Sequence, residues 1–356
     1  MKPLGYAIRA ASGKSAAGKP RRNGSARCLL CRFTGGLIVG LVALLGAISP
    51  APAEPLKVKL GQAVPTLGFL PLYAAEALDT FEPSGVAMEV VHIPGGDPTT
   101  LAALDAGDID LAAVGADTAL VAIAKGAPFE IVYSFMSKMS VDLTFSNAYL
   151  KRIGVQPSDP LETRLKALKG AIIGVSAVGG AQERIARWLA GRAGLDPAKD
   201  FNIALIGAPP ALRAALENGA IDGFVLTAPE GFLAEQGGFG TVLLRPGAEI
   251  PELKSYYHLV LVAPRKTAEQ NPAIVKLTIA AFNRAADATL ADTKSVAVAI
   301  QRKFYPKADP AAILRSVESL TDGIASRGRM SAADMKFLLQ FNVDTGAKGV
   351  DALDPA

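Results

Sequence analysis

Cysteine is almost absent from this 356-residue chain: it has two, Cys28 and Cys31, both ahead of an apolar run near the start. Residues 54–356 contain no thiol, which excludes a disulfide framework, a Cys-x-x-Cys redox pair and a thiolate metal site there. Histidine is as scarce. His92 and His258 stand far apart, and no His-Glu-x-x-His motif exists. A Ser-His relay would rest on one of these two, and nothing in the pattern selects either; His92 lies in an alternating strand pattern and reads as structural. There is no Gly-x-Gly-x-x-Gly after a strand and no Walker loop, and Gly174-Val-Ser-Ala-Val178 lacks the closing glycine of a nucleophile elbow. Trp188, the single tryptophan, falls in a helical pattern and reads as core, not as an aromatic cage.

Acidic residues are missing from residues 1–53, which carry Lys2, Arg9, Lys14, Lys19, Arg21, Arg22, Arg27 and Arg32. The net charge of +4 comes from this stretch. Subtracting its eight cations from 37 leaves 29 against 33 Asp and Glu, a net −4 over residues 54–356. A nucleic-acid-binding body would need a concentrated basic face, so that partner is not expected. The basic stretch, the apolar run Phe33–Ile48 and the small-x-small triplet Ala51-Pro52-Ala53 have the form of an export signal, with cleavage expected after Ala53. The run falls short of the ~20 apolar residues that span a bilayer. Arg21-Arg22 hints at twin-arginine export, but Asn23-Gly24 follow where that route wants bulky apolar residues, so the route stays open.

From Leu56 onward short runs rich in Val, Ile and Phe alternate with Ala/Leu segments of helical period, separated by Gly or Pro turns. This pattern predicts an α/β fold of parallel sheets with helices on both faces. A first set has strands at Lys57–Leu60, Met88–Ile93, Ile109–Val114 and Glu130–Phe135. A break rich in Pro and charge at residues 149–163 precedes a second set, with strands at Ala171–Ser176, Asn202–Ile206, Gly223–Leu226 and Thr241–Leu244. Tyr256–Ala263 reads as a strand returning to the first set. The tail is helical, with starts at Asn271-Pro272 and Asp309-Pro310 and a capping box at Ser331 to Asp334.

In doubly wound sheets ligands bind beyond the carboxyl ends of strands, where helix N-termini offer unpaired amides. The loops so placed are Thr66–Phe69, Gly95–Asp97, Gly115–Asp117, Ser176–Ala181 and Thr227–Glu230. Ser176 with Gly179 and Gly180 is the strongest binding candidate, a hydroxyl and two glycines between a strand and a helix. Asp97 and Thr227 also read as helix caps, Thr227 with Glu230 fitting a capping box. Lys125, Lys138 and Arg184 read as solvated surface cations.

The strand Lys57-Val-Lys-Leu-Gly61, the segment Leu101-Ala-Ala-Leu-Asp-Ala-Gly-Asp-Ile-Asp-Leu-Ala-Ala-Val-Gly115 and the phrase Leu216-Glu-Asn-Gly-Ala-Ile-Asp-Gly223 resemble the periplasmic substrate-binding proteins of ABC importers for nitrate, sulfonates, taurine and thiamine-precursor pyrimidines. The resemblance covers most of residues 56–345. It implies a type II periplasmic binding protein fold: two doubly wound α/β lobes, residues 54–145 with 256–356 and residues 146–255, joined by a hinge with crossovers near Val141–Ser146 and Tyr256–Ala263. It implies ligand contacts from Thr66, Gly68, Phe69, Gly96, Asp97, Ala116, Asp117, Ser176, Gly179, Gly180 and Thr227. It also implies a periplasmic monomer that takes a small-molecule solute to an inner-membrane ABC permease with its ATPase, with no metal or cofactor. Family frequency favours a small anion. The loops themselves offer amides but no basic side chain, and Asp97, Asp117 and Glu230 suit a neutral or amine-bearing ligand such as an aminopyrimidine. An enzyme on the same fold, a pyrimidine synthase or a small-molecule lyase, is the alternative; the synthases rely on a cysteine-rich motif that residues 54–356 lack.

Overall fold

A computed structural model describes residues 54–178 and 180–353; the expected leader, its cleavage point after Ala53 and Gly179 lie outside these described residues. Ten strands form two five-stranded sheets. The first takes β1 (Leu56–Gln62), β2 (Val86–His92), β3 (Leu111–Gly115), β4 (Phe129–Ser134) and β10 (Leu259–Pro264) in the order β2-β1-β3-β10-β4. The second takes β5 (Val141–Ser146), β6 (Ile172–Val175), β7 (Asn202–Leu205), β8 (Gly223–Thr227) and β9 (Gly240–Leu244) in the order β7-β6-β8-β5-β9.

Helices cover both faces of the first sheet, and the strand side chains show why. In β3, Leu111 and Ala113 pack with Leu72 and Phe282, while Ala112 and Val114 point the other way, towards Leu104, Leu120 and Leu338. All five residues of β3 and all five of β8 are buried, so both strands read as continuous apolar runs without alternation. Phe282, on the helix Pro272–Ala291, anchors one face by meeting the rings of Phe135 at 5.2 Å, Tyr133 at 5.5 Å and Phe81 at 5.7 Å. Trp188 is half-buried at the edge of the core, packed on Phe341 of the helix Ala332–Asp344 with ring centres 5.3 Å apart.

The phrase shared by the two halves does the same job twice. Gly107 (φ 79°) and Gly219 (φ 71°) end their helices in the left-handed region that glycine enters without cost. Three residues later an aspartate ties the incoming chain to the neighbouring strand. The Asp110 carboxylate accepts from Lys59 N at 2.8 Å while Asp110 N donates to Lys59 O; Asp222 does the same with Ile172, at 2.9 Å each way. Each aspartate caps a strand edge with one carboxylate and its own amide.

The sheets are mixed, not parallel. β10 runs antiparallel to β3 and β4, and β5 runs antiparallel to β8 and β9. In each sheet the reversed strand is the one reached from the other sheet. It arrives without a helical crossover of its own sheet, so the geometry that forces a βαβ unit parallel does not apply. The strand read at Tyr256–Ala263 is β10, which returns to the first sheet; Val141–Ser146 is not a crossover but the strand β5 of the second sheet, and the links between sheets run through residues 135–140 and 245–258. The break expected at 149–163 holds two short helices, Asn147–Ile153 and Leu161–Leu165. The first is capped by Ser146 Oγ, which accepts from Tyr149 N at 3.1 Å.

Candidate functional site

The strand-end loops of the two sheets face one another across a partly open cavity of about 50 Å³. One water needs ~10–15 Å³ on the same measure, so the space suits a solute of a few heavy atoms. Val64, Thr66 and Phe69 line it from the segment after β1, Gly96 and Asp97 from the start of the helix Asp97–Ala106, and Gly115 from the end of β3. The second sheet contributes Ser176, Ala177, Gly180, Ala181 and Gln182 around the start of the helix Ala181–Arg192, with Leu226 and Thr227 from β8. Val141, His258 and Leu259 enter from the ends of the two links.

Of the residues expected at the site, Thr66, Phe69, Gly96, Asp97, Ser176, Gly180 and Thr227 meet in this cavity. Gly68 stands behind its wall, where a Cβ would lie 2.5 Å from Leu259 Cδ1, 3.0 Å from Thr227 Cγ2 and 3.3 Å from Ser140 Oγ, so glycine lets this loop close on the links. Ala116 does not line the cavity; its amide donates to the His258 carbonyl at 2.9 Å and pins the helix Ala116–Ala124 to the second link. Asp117 is turned to Arg184, whose Nε donates to Oδ2 at 2.7 Å, while Arg184 Nη2 donates to Thr118 Oγ1 at 3.1 Å. Arg184 is therefore no solvated surface cation: its side chain is 20% exposed and Asp117 is 3% exposed. Glu230 is held by Arg213 at 2.9 Å and Lys138 by Asp322, both away from the cavity.

Neither expected cap is one. The residue preceding the helix Asp97–Ala106 is Gly96, at φ 78°, and Asp97 makes no cap bond to its own helix. Its Oδ2 instead accepts from Thr118 Oγ1 at 3.2 Å, and the carboxylate also accepts from the Gly115 amide, across the cavity wall. Burial, then the neighbouring Asp117 carboxylate, pushes Asp97 up to about 6. Thr227 ends β8, and the helix Glu230–Gln236 starts at Pro229 without a side-chain cap. The Thr227 hydroxyl is free to turn towards Ser140, whose Oγ lies 3.3 Å away.

The residues not foreseen come mainly from the links. Ser140 Oγ sits 2.7 Å from His258 Nδ1, and burial pushes His258 down to about 4, so the imidazole is neutral at pH 7. A Ser-His-Asp relay needs a carboxylate to orient the imidazole through the ring nitrogen that does not face the serine; among the described residues no such bond to His258 Nε2 is present. Gln182 Oε1 accepts from Ser176 N at 2.7 Å, while Ser176 Oγ is buried with no hydrogen-bond partner among the described residues. Among those residues no group of three or more His, Cys, Asp or Glu is placed to hold a metal ion.

The architecture has solved counterparts. The aliphatic sulphonate binding protein SsuA of Escherichia coli superimposes with a TM-score of 0.61 at 19% identity, over 81% of this chain and 91% of that one. The nitrate-binding protein NrtA of Synechocystis PCC 6803 gives 0.64 at 18% identity, over 84% and 85%. At such identities the likeness establishes the periplasmic binding protein fold. The putative binding protein YtlA of Bacillus subtilis (strain 168) is 26% identical over 282 residues, 79% of this chain and 80% of its own length. The model of the NMT1-like family matches residues 51–317, three quarters of the sequence, and the chain belongs to that family.

Proposed function

We propose that the protein is the solute-binding component of an ABC import system. It is exported through its basic and apolar leader, closes two lobes on a small polar solute, and presents the loaded form to an inner-membrane permease with its ATPase. The lobes are the two sheets with their helices, and residues 135–140 and 245–258 are the hinge. The observation that carries the reading is the cavity: strand-end loops of both sheets and the ends of both links build its wall. Closure and opening at the links would therefore make and unmake the site as a whole. The binding proteins named in the solved counterparts, for a sulphonate and for nitrate, support the same role. Chemistry on the solute has only the Ser140–His258 contact in its favour, and that contact lacks an orienting carboxylate.

The test is a thermal-shift and calorimetric screen of the purified protein against nitrate, sulfonates, bicarbonate, aromatic carboxylates, aminopyrimidines and amines. A ligand at 100 times its Kd adds about 2.7 kcal/mol, a rise of several degrees. The reading expects saturable binding of one class and recovery of that compound unaltered. Recovery of a changed compound would make the protein an enzyme.

A further inference from the structure

Taking the cavity to be the solute site, we infer that its solute is a small amine or amidine whose nitrogen is held against the Asp97 carboxylate, and not an oxyanion. Asp97 is the one charged side chain among the described residues lining the cavity. An oxyanion would want a guanidinium or ammonium in the wall, yet the nearby cations are engaged elsewhere. Arg184 binds Asp117 and Thr118, Arg213 binds Glu230, and Lys138 binds Asp322. Nor is His258 a cation at neutral pH.

The other way to hold an oxyanion is the positive end of a helix. Of the helix starts at the cavity, that of Ala116–Ala124 is already filled by the protein's own carboxylates; that of Ala181–Arg192, after Gly180, has no side-chain cap and is the position an oxyanion would have to use, with Asp97 in the same wall. Thr118 N donates to Asp117 Oδ1 at 2.9 Å, Ala116 N to the His258 carbonyl at 2.9 Å, and Gly115 N to Asp97. Gly115 is wedged between the two acids: a Cβ there would lie 2.8 Å from Asp97 Oδ2 and 2.9 Å from Asp117 Oδ1. A second anion at this spot would meet two carboxylates, of which the Arg184 guanidinium neutralises one.

An ammonium or amidinium meets the opposite situation. Asp97 is a carboxylate with one neighbouring like charge, and a cationic N–H donor compensates the cost of its burial. The remaining polar wall is rich in hydroxyls that accept from further N–H groups. Thr66 and Thr227 line the same space, and the buried Ser176 Oγ has no partner among the described residues.

The experiment titrates the purified protein by calorimetry with ethylamine, 2-aminoethanol and acetamidine in one arm, and with nitrate, methanesulfonate and ethanesulfonate in the other. Saturable binding confined to the first arm is expected. Asp97→Asn should weaken that binding at least tenfold while leaving the midpoint of the free protein unchanged or higher, because it removes a carboxylate that faces Asp117. The selectivity of the unmodified protein decides the matter even if the variant fails to fold. Binding in the oxyanion arm alone overturns the inference and leaves the receptor reading standing. Binding in neither arm overturns the inference too, and only a further ligand found in the wider screen would then keep the receptor reading. Amine binding that survives Asp97→Asn at full affinity overturns the placement at Asp97.

Discussion

Replacing Arg184 by alanine tests whether the two sheets are held together beside the cavity by a buried charge pair. Asp117 opens a helix that follows a strand of the first sheet, and Arg184 lies in the first turn of a helix that follows a strand of the second. With Arg184 gone, the Asp117 carboxylate, 3% exposed in the pair, keeps Thr118 N as a remaining donor. Removing one partner of a buried pair costs about 3–5 kcal/mol, mostly from the stranded charge. The 20% exposure of Arg184 places the expected loss at the low end of that range. At 2–4 °C per kcal/mol, the thermal midpoint should fall by roughly 6–12 °C. Adding Asp117→Asn to Arg184→Ala removes the stranded charge and should recover most of the loss. Urea unfolding of the four proteins of this double-mutant cycle measures the coupling, expected at the upper end of the ~0.5–3 kcal/mol range for contacting residues. A single-variant loss below about 1 kcal/mol, or a double variant less stable than Arg184→Ala, refutes the reasoning. The same variant should release bound solute faster, because the pair contributes only where the two helices are together.

His258 should give the protein an acid-labile component of stability. Its pKa is pushed down from 6.5 to about 4 by burial, so the unfolded chain takes up a proton at a pH where the folded one does not. The contribution is complete above pH 6.5 and is lost as pH falls through 4, a total near 3 kcal/mol at ~1.4 kcal/mol per pH unit. Asp97 and Asp142, raised to about 6 and about 7 mainly by burial, act with the opposite sign: their stability is present below pH 4 and lost as pH rises through those values. The urea midpoint of wild type minus that of His258→Gln, followed from pH 7.5 to 4.5, isolates the histidine and should shrink towards acid. Gly247→Ala should be among the most damaging glycine substitutions, because a Cβ there would lie 1.9 Å from the Met139 carbonyl oxygen and force the short helix Pro246–Glu249 off the first link. Overpacking of this kind costs ~3 kcal/mol or more. Gly191→Ala is its control: the nearest atom is Pro197 Cγ at 3.5 Å, and removing a helical glycine should raise stability by about 0.5–1 kcal/mol in the same calorimetric scan.

The central strands β3 and β8 were legible because burial on both faces leaves a mark in composition that no register is needed to read. Ala112, Val114 and their neighbours are apolar whichever face they meet. Strand direction leaves no such mark. β5 reads Val-Asp-Leu-Thr-Phe-Ser, and Asp142 and Thr144 interrupt its apolar run although every residue in it is buried. Asp142 is tolerated there because Arg245 Nε lies 3.5 Å from its Oδ1, a partner about a hundred positions away that no local pattern discloses. The cavity lining divides in the same way. Thr66, Gly96, Ser176 and Gly180 follow strands in the sequence, a position the sequence pattern discloses, whereas Ser140 and His258 meet across 118 positions through the two links.

Asp97 shows why the chemistry of the site was harder to read than its location. An aspartate before a proline at a helix start has the same sequence signature whether it caps the helix or faces a ligand. The difference lies in Gly96. Its φ of 78° turns the chain so that Asp97 enters the helix as its first residue, with its carboxylate directed away to the Gly115 amide and Thr118 Oγ1. A residue with a side chain at position 96 would resist that φ, and its Cβ would press on Ala177 Cβ at 3.1 Å, on the opposite wall. One glycine therefore does two things: it lets the two walls approach, and it frees a carboxylate from capping its own helix and leaves it at the cavity. The charge that the proposed solute would meet follows from a backbone angle at its neighbour.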